Sequence, residues 1–282
     1  MTWFLLAIAA SLMFASMDLL MRTLSVRTSS PRVFSVVFNL WGSAFAVAVF
    51  IAQGGSFLSL SRLTPFQYLL IASTCILYGI YERFQFTARQ GMDAATYSII
   101  LKISSVISFL GAVLYLGESI TVAKIAGTSL IIAASMMLVY KNPRFVYSSA
   151  MGYALICAVA LGITGFLDKP ASAPVTASLY SFLVWIVPIG IIAFPGVRIS
   201  EVIREFRIGG KRVALAALLN VAGYIIYIRA LSLAEASQVN PITSTSGILT
   251  VLGGIYLLSE RDHLKRKIAA GILAFAGVVL LA

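Results

Sequence analysis

The sequence predicts an all-α integral membrane protein of ten transmembrane helices, arranged as two inverted repeats of five. Three observations predict it. Hydrophobic residues make up 60% of the 282 residues and charged residues only 11%, more apolar material than a soluble core of this size needs. The apolar residues fall into ten runs, most close to the roughly 20 residues that a helical crossing takes. The last five runs repeat the first five in order and spacing.

The runs are 2–21, 33–53, 66–86, 94–116, 122–140, 151–167, 175–195, 212–232, 236–258 and 268–282. Each must be helical, because lipid cannot satisfy an exposed backbone N–H or C=O. The opening MTWFLLAIAASLMF lacks the basic region of a secretory signal, and further spans follow, so it is expected to stay as the first helix. The second and seventh runs begin after prolines, in SSPRVFSVVF and SAPVTASLYS. The longest link, between the seventh and eighth runs, holds VRISEVIREFRIGGKR and reads as a short amphipathic piece on the membrane surface.

The repeat can be registered residue by residue. Met1-Thr2-Trp3 falls on Met151-Gly152-Tyr153, which superposes Asp18 on Asp168. The stretch AATYSIILKISSVISFLGAVLYLGE (94–118) falls on ASQVNPITSTSGILTVLGGIYLLSE (236–260), with Glu118 on Glu260, Ser98 on Asn240 and Lys102 on Ser244. Gly127 falls on Gly271. The domains are therefore read as 1–145 and 146–282. An odd number of helices per copy turns the second copy upside down in the membrane, the arrangement of many secondary carriers.

The net charge of +11 is concentrated in short links. Sixteen Lys and Arg, among them Arg22, Arg83, Arg89, Arg144, Arg204 and Lys265, follow the odd-numbered runs; only Arg62, Lys124, Lys169 and Arg229 follow the even ones. That asymmetry puts the basic links in the cytoplasm and both termini outside. No basic patch interleaved with aromatics lies outside the spans, so no nucleic-acid partner is expected. Cys75 and Cys157 both lie in apolar runs and read as small apolar residues.

Polar residues inside apolar runs carry the functional argument. Lys102 lies deep in its run, where a charge costs several kcal/mol unless it meets a partner or a wet cavity. Ser98, Lys102 and Ser105 share one helix face, and Asn240, Ser244 and Gly247 hold the equivalent places in the other repeat. Tyr78, Glu82 and Gln85 form a polar face on the third run; Asn220, Tyr224 and Tyr227 form one on the eighth. Together with Trp41 and Trp185, a set with both signs of charge suits a zwitterion, with Lys102 holding its carboxylate or exchanging protons and Glu82 opposite. The expected substrate-binding set is thus Lys102, Ser98, Ser105, Tyr78, Glu82, Asn240, Ser244, Tyr224, Trp41 and Trp185.

Bland readings stand beside these. Membrane serines often only bond their own backbone. Tyr227 fits an interfacial belt. Glu82 and Arg83 suit the cavity and the interface equally. Asp18 with Arg22 reads as a local i, i+4 surface pair, and Asp168, before Lys169-Pro170, as an interfacial residue where its helix stops. Glu118 and Glu260 read as caps on the helix that follows each. The lone histidine, His263, sits in a charged link. No metal-ligand spacing, phosphate loop or nucleophile elbow occurs, so neither catalysis nor a cofactor or metal is expected.

These residues resemble the drug/metabolite transporter superfamily, of the EamA type. The resemblance covers nearly the whole chain and rests on SLMFASMDLLMR, on LGAVLYLGE followed by AKIAGTSLIIAASMML, and on LGGIYLLSE followed by IAAGILAFAGVVLL. The sequence departs from the family pattern at Phe14 and Thr164, where tryptophan is common, and at Ser105 and Gly247, where proline is common. The resemblance implies a multi-pass inner-membrane carrier of amino acids, drugs, nucleotide sugars or other metabolites, often an exporter using protons or exchange, and commonly with cytoplasmic termini. The expected partners are a small-molecule substrate and the lipid bilayer, with the chain a monomer or homodimer. Rival readings are a lipid or lipid-linked sugar flippase, a membrane-embedded enzyme, and a non-transporting receptor or accessory subunit. The charge count of this chain itself sets the expected orientation: a tag at Ala282 should be reachable from outside in intact cells, and a tag reachable only after permeabilisation would reverse it.

Overall fold

Apolar side chains on nearly every helix face leave the chain one way to satisfy its backbone, which is to stay helical and bundle. The computed structural model describes residues 1–24, 30–92, 94–139, 148–257 and 264–282. Within them run α1 (Thr2–Leu24), α2 (Pro31–Ala52), α3 (Pro65–Gln90), α4 (Ala94–Leu101), α5 (Ile103–Leu116), α6 (Val122–Val139), α7 (Ser149–Ser172), α8 (Ala177–Ala193), α9 (Ile199–Leu231), α10 (Ala236–Thr243), α11 (Ser246–Leu257) and α12 (Leu264–Leu281), and no strand is present among the described residues. Thr2–Met21, Pro31–Ala52, Ser149–Ser172 and Ile199–Leu231 are long and apolar enough to cross a membrane, and Ile103–Leu116, Val122–Met137 and Ala177–Ala193 are shorter apolar helices. The molecule is a helical, multi-pass membrane protein.

Local chemistry fixes many of the helix starts. Proline opens α2 and α3, where its missing N–H costs nothing. Thr64 and Gln67 form a reciprocal cap on α3 (Thr64 N–H to Gln67 Oε1, 2.9 Å). Thr176 caps α8 and Ser148 caps α7 through their hydroxyls. Arg32 and Arg83 donate to the carbonyls that end α8: Arg32 to Ile192 O at 2.6 Å, and Arg83 to Ile191 O at 2.6 Å and to Phe194 O. Arg83, read equally as cavity or interface, thus closes a helix end.

Packing pairs elements from the two parts of the chain. The first helix, α1, lies along α9, and α3 along α7; α2 packs on α8, α6 on α12, α5 on α7 and α1 on α11. Small residues allow the closest approaches. A Cβ on Gly277 would sit 2.7 Å from Gly127 O, so α6 and α12 meet backbone to backbone. A Cβ on Gly162 would sit 2.6 Å from the Ile107 Cβ, which seats α5 on α7.

Three features differ from the sequence reading. The runs 94–116 and 236–258 are not continuous helices: α4 gives way to α5 at Lys102, and α10 to α11 at Ser244 and Thr245. In the second case Pro241 removes a ladder N–H. The hydroxyls of Ser244 and Thr245 then bond back to Pro241 O (2.7 Å) and Ile242 O (2.6 Å). In the first, without proline, the turn tightens through Ser105 N–H to Lys102 O (3.1 Å) and Ser104 Oγ to Leu101 O (2.6 Å). Second, α7 runs through Pro170 to Ser172 instead of stopping before it; tertiary bonds made by Asp168 and Lys169 hold its last turns. Third, helix α9 begins at Ile199, takes in the amphipathic piece, and bends at Gly210 (φ 50°, ψ −149°), a conformation that glycine alone adopts easily.

Candidate functional site

A cavity of about 350 Å³ is lined by residues of α1 to α5 and of α7 to α11. Its greasy walls are Phe14, Met17, Phe38, Phe86 and Trp185. The volume falls within the usual range for small-molecule sites.

Charge enters from two helices. Glu82 on α3 is only 8% exposed. Its Oε2 accepts from Ser35 Oγ at 2.9 Å and from Asn39 Nδ2 at 3.3 Å, so α2 orients it. Arg89 lies two turns further along α3 and lines the same cavity, its guanidinium over Phe86 (5.5 Å) and Tyr97 (5.2 Å). Asp18 on α1 supplies a second carboxylate to the lining. One cavity therefore presents both signs of charge.

The polar floor is built around α10. Asn240 donates from Nδ2 to Ser108 Oγ (2.6 Å) and to Gly165 O (2.6 Å), and its Oδ1 accepts from the Tyr227 hydroxyl (2.7 Å). Gly165 is small because Ser108 Oγ would lie 2.6 Å from any Cβ there. Tyr224 presents its ring edge-on to Tyr78 (centroids 5.9 Å apart, 90°), and its buried hydroxyl has no partner in hydrogen-bond geometry.

The expected residues separate clearly. Ser105, Tyr78, Glu82, Asn240, Ser244, Tyr224 and Trp185 are brought together on the cavity lining. Trp41 stacks on Phe45 (5.6 Å, 18°) and packs on Phe206 (5.1 Å), outside the lining. Lys102 stands at the α4–α5 break, half-buried, with the Asp18 carboxylate as its charged neighbour, and is also outside the lining. The side chain of Ser98, together with Glu260 and His263, lies outside the described residues.

Four readings change. Tyr227 is 7% exposed and bonds Asn240, so it is no belt residue. Asp18 lines the cavity, and the side chain of Arg22, its expected partner, lies outside the described residues. Asp168 is 0% exposed, not interfacial. It accepts from Tyr78 OH and Tyr180 OH, each at 2.7 Å, because the unbroken turn of α7 aims it at α3 and α8. Glu118 caps not the helix that follows it but α10, far along the chain. Its two oxygens accept the N–H groups of Ala236 (2.7 Å) and Ser237 (2.8 Å), and Lys169 Nζ lies 2.9 Å away. Beside it Lys124 pairs with Glu235.

Arg89, Asn39, Ser108 and Tyr180 were missed. For Arg89 the signal was present: Glu82, Gln85 and Arg89 fall at i, i+3, i+7 on one face once α3 is allowed to run to Gln90.

Comparison with known proteins gives a family and a fold. The profile of the EamA-like transporter family matches residues 1–140 and 148–282. A Sinorhizobium protein named "Uncharacterized transporter in cobO 3'region" is 26% identical over 46% of this chain and 94% of its own length. A "Probable terminal-alkyne amino-acid exporter" of Streptantibioticus cattleyicolor is 25% identical over 67% of this chain and 64% of its own; the match thus spans less than two thirds of that relative. A crystal structure of a protein with 15% identity superposes with a TM-score of 0.76, covering 99% of this chain and 97% of that one. This last likeness is one of fold.

Burial works against the charged form of Glu118, but the Ser237 and Ala236 amides and Lys169 outweigh it and hold the carboxyl below the usual carboxylate range. Its stabilisation is therefore present above that range and lost as pH falls through the lowered value. Glu118→Gln should lower the thermal stability of the solubilised chain, by about 1–3 kcal/mol, and should flatten the loss of stability on acidification. A melting profile identical to wild type at neutral and acid pH would contradict the cap.

Proposed function

The chain belongs to the EamA-like transporter family, and from that premise we propose that it is a secondary active exporter of amino acids or related zwitterions, working by alternating access with proton coupling or exchange. The observation that carries this is the central cavity, where Asp18, Glu82 and Arg89 face one space of about 350 Å³. An α-carboxylate suits the Arg89 fork and an α-ammonium suits the two carboxylates. Tyr78, Tyr224, Ser105, Ser244 and Asn240 supply hydroxyl and amide contacts, and Trp185 an apolar wall. Lys102, off the lining, acts on Asp18 through its charge, and Trp41 braces the helices. The name of the Streptantibioticus relative points to the same substrate class.

We place ten spans in the inner membrane as two inverted repeats, 1–145 and 146–282, with the basic links in the cytoplasm. The packing supports the two-copy arrangement. Exchanging the two copies turns the α1–α9 contact into α7–α3, and α5–α7 into α11–α1, while α2–α8 and α6–α12 map onto themselves. The helix breaks coincide as well: Lys102 and Ser244 are equivalent in the repeat register. Discontinuous helices facing each other at the midplane are where carriers of this kind place their site. The chain moves its substrate and does not transform it.

Proteoliposomes holding the purified chain should exchange labelled amino acids across the bilayer. Glu82→Gln and Arg89→Gln should each raise the half-saturating concentration about 10-fold or more, the effect of removing one charge-assisted hydrogen bond. Absence of amino-acid exchange by the folded wild type would sink this reading.

A further inference from the structure

The cavity lining leaves out the most enclosed carboxyl among the described residues. Asp168 is 0% exposed and lies behind the lining, not on it. Tyr78, by contrast, is part of the lining and donates its hydroxyl to Asp168 Oδ2 at 2.7 Å. On the far side Tyr180 OH donates to Oδ1 at 2.7 Å and lies 3.0 Å from Thr74 Oγ1.

The surroundings of Asp168 hold no compensating cation among the described residues. From α3 the titratable neighbours are Tyr78 and Cys75, from α8 Tyr180, and from α9 Tyr224 and Tyr227. On the other elements packed against α7, Tyr115 of α5 turns to Phe166, and Tyr97 of α4 lies under Arg89. No titratable side chain occurs on α10. The adjacent Lys169 points away, to Glu118. A fully enclosed carboxylate without a cation costs several kcal/mol to keep, so a structural role alone would be better served by an amide. Both carboxyl oxygens already accept a phenol, which leaves no room for the many oxygen ligands a metal cation needs.

We propose that Asp168 is the site at which this carrier takes up and releases its coupling proton, with Tyr78 as the link to the cavity. The inference rests on the carrier reading above and names a residue for its coupling. A proton entering from the compartment the cavity faces, carried as hydronium, passes to the Tyr78 oxygen as the phenol passes its own to Asp168 Oδ2, so water and phenol are both regenerated and the carboxyl gains one proton. Release runs in reverse when the site faces the other compartment. Lys169, the next residue, belongs to the Glu118 contact with α10. One turn of α7 therefore carries both the proton site and a bond between the two copies, and a change of charge at the first bears on the second.

The test has two arms on the full chain. In the first, infrared spectra of the purified protein are titrated with pH. A protonated-carboxyl C=O band should appear and titrate in wild type and in Glu82→Gln, should be lost in Asp168→Asn, and should shift in frequency in Tyr78→Phe and Tyr180→Phe. A titrating band unchanged in Asp168→Asn, or one indifferent to both phenol variants, overturns the proposal. If Asp168→Asn does not fold, the two phenol variants decide it by the shift. In the second, labelled amino acids are offered to proteoliposomes. Asp168→Asn should lose accumulation driven by a pH gradient while keeping exchange at equal pH; retained gradient-driven accumulation overturns the proposal. A wild type that moves no amino acid sinks the substrate reading, and the infrared arm still decides the proton site.

Discussion

The Glu118 carboxylate and the first amides of α10 form the contact on which the rest depends. A helix of eight residues is too short to hold itself, and its N-terminal N–H groups need acceptors. Glu118 supplies both oxygens to Ala236 and Ser237 from a loop in the other half of the chain. With its start fixed, α10 directs Asn240 at Ser108, Gly165 and Tyr227, and so closes one end of the cavity. Lys169 completes the contact from α7, next to Asp168. The start of α10, the cavity floor and the enclosed carboxyl are thus linked through one short helix and one turn of α7.

The same junction explains why irregular backbone is tolerated in a membrane protein. Lipid offers no partner to a freed carbonyl, yet the α10–α11 break is lined by Ser244 and Thr245, which bond the carbonyls of the turn above. The α4–α5 break uses Ser104 in the same way. Ser104 and Ser244 each hold their own turn and still line the cavity.

Much of the molecule can be read from the sequence, because lipid reduces the problem to apolar length and the odd polar letter. The positions of the long helices and the gathering of Tyr78, Glu82, Asn240 and Tyr224 follow from residues that have no reason to sit in hydrocarbon. What sequence distance does not reveal is which way a residue near a helix end faces. Asp168 and Arg89 both lie close to span ends, where interface is the natural expectation. Asp168 turns into a cage of phenols, and α3 runs far enough to carry Arg89 into the cavity. Lys102 differs in the opposite sense: depth along the run suggests a site, but it stands at a helix break, off the cavity lining, with Asp18 as its charged neighbour. The partner of Glu118 was out of reach because a cap between distant segments leaves no local spacing pattern.

In the proposed carrier two inverted copies rock about this cavity, with the Glu118 junction at one end of the bundle. The most direct measurement is the distance between spin labels at both ends of the bundle, in lipid, with and without a saturating amino acid that the protein exchanges. One pair is Ile120 and Leu233, beside the Glu118 junction; the other is Gln90 and Lys211, at the basic end. Rocking produces reciprocal shifts, one pair separating as the other closes. Distances that change in the same sense at both ends, or at one end alone, would contradict it.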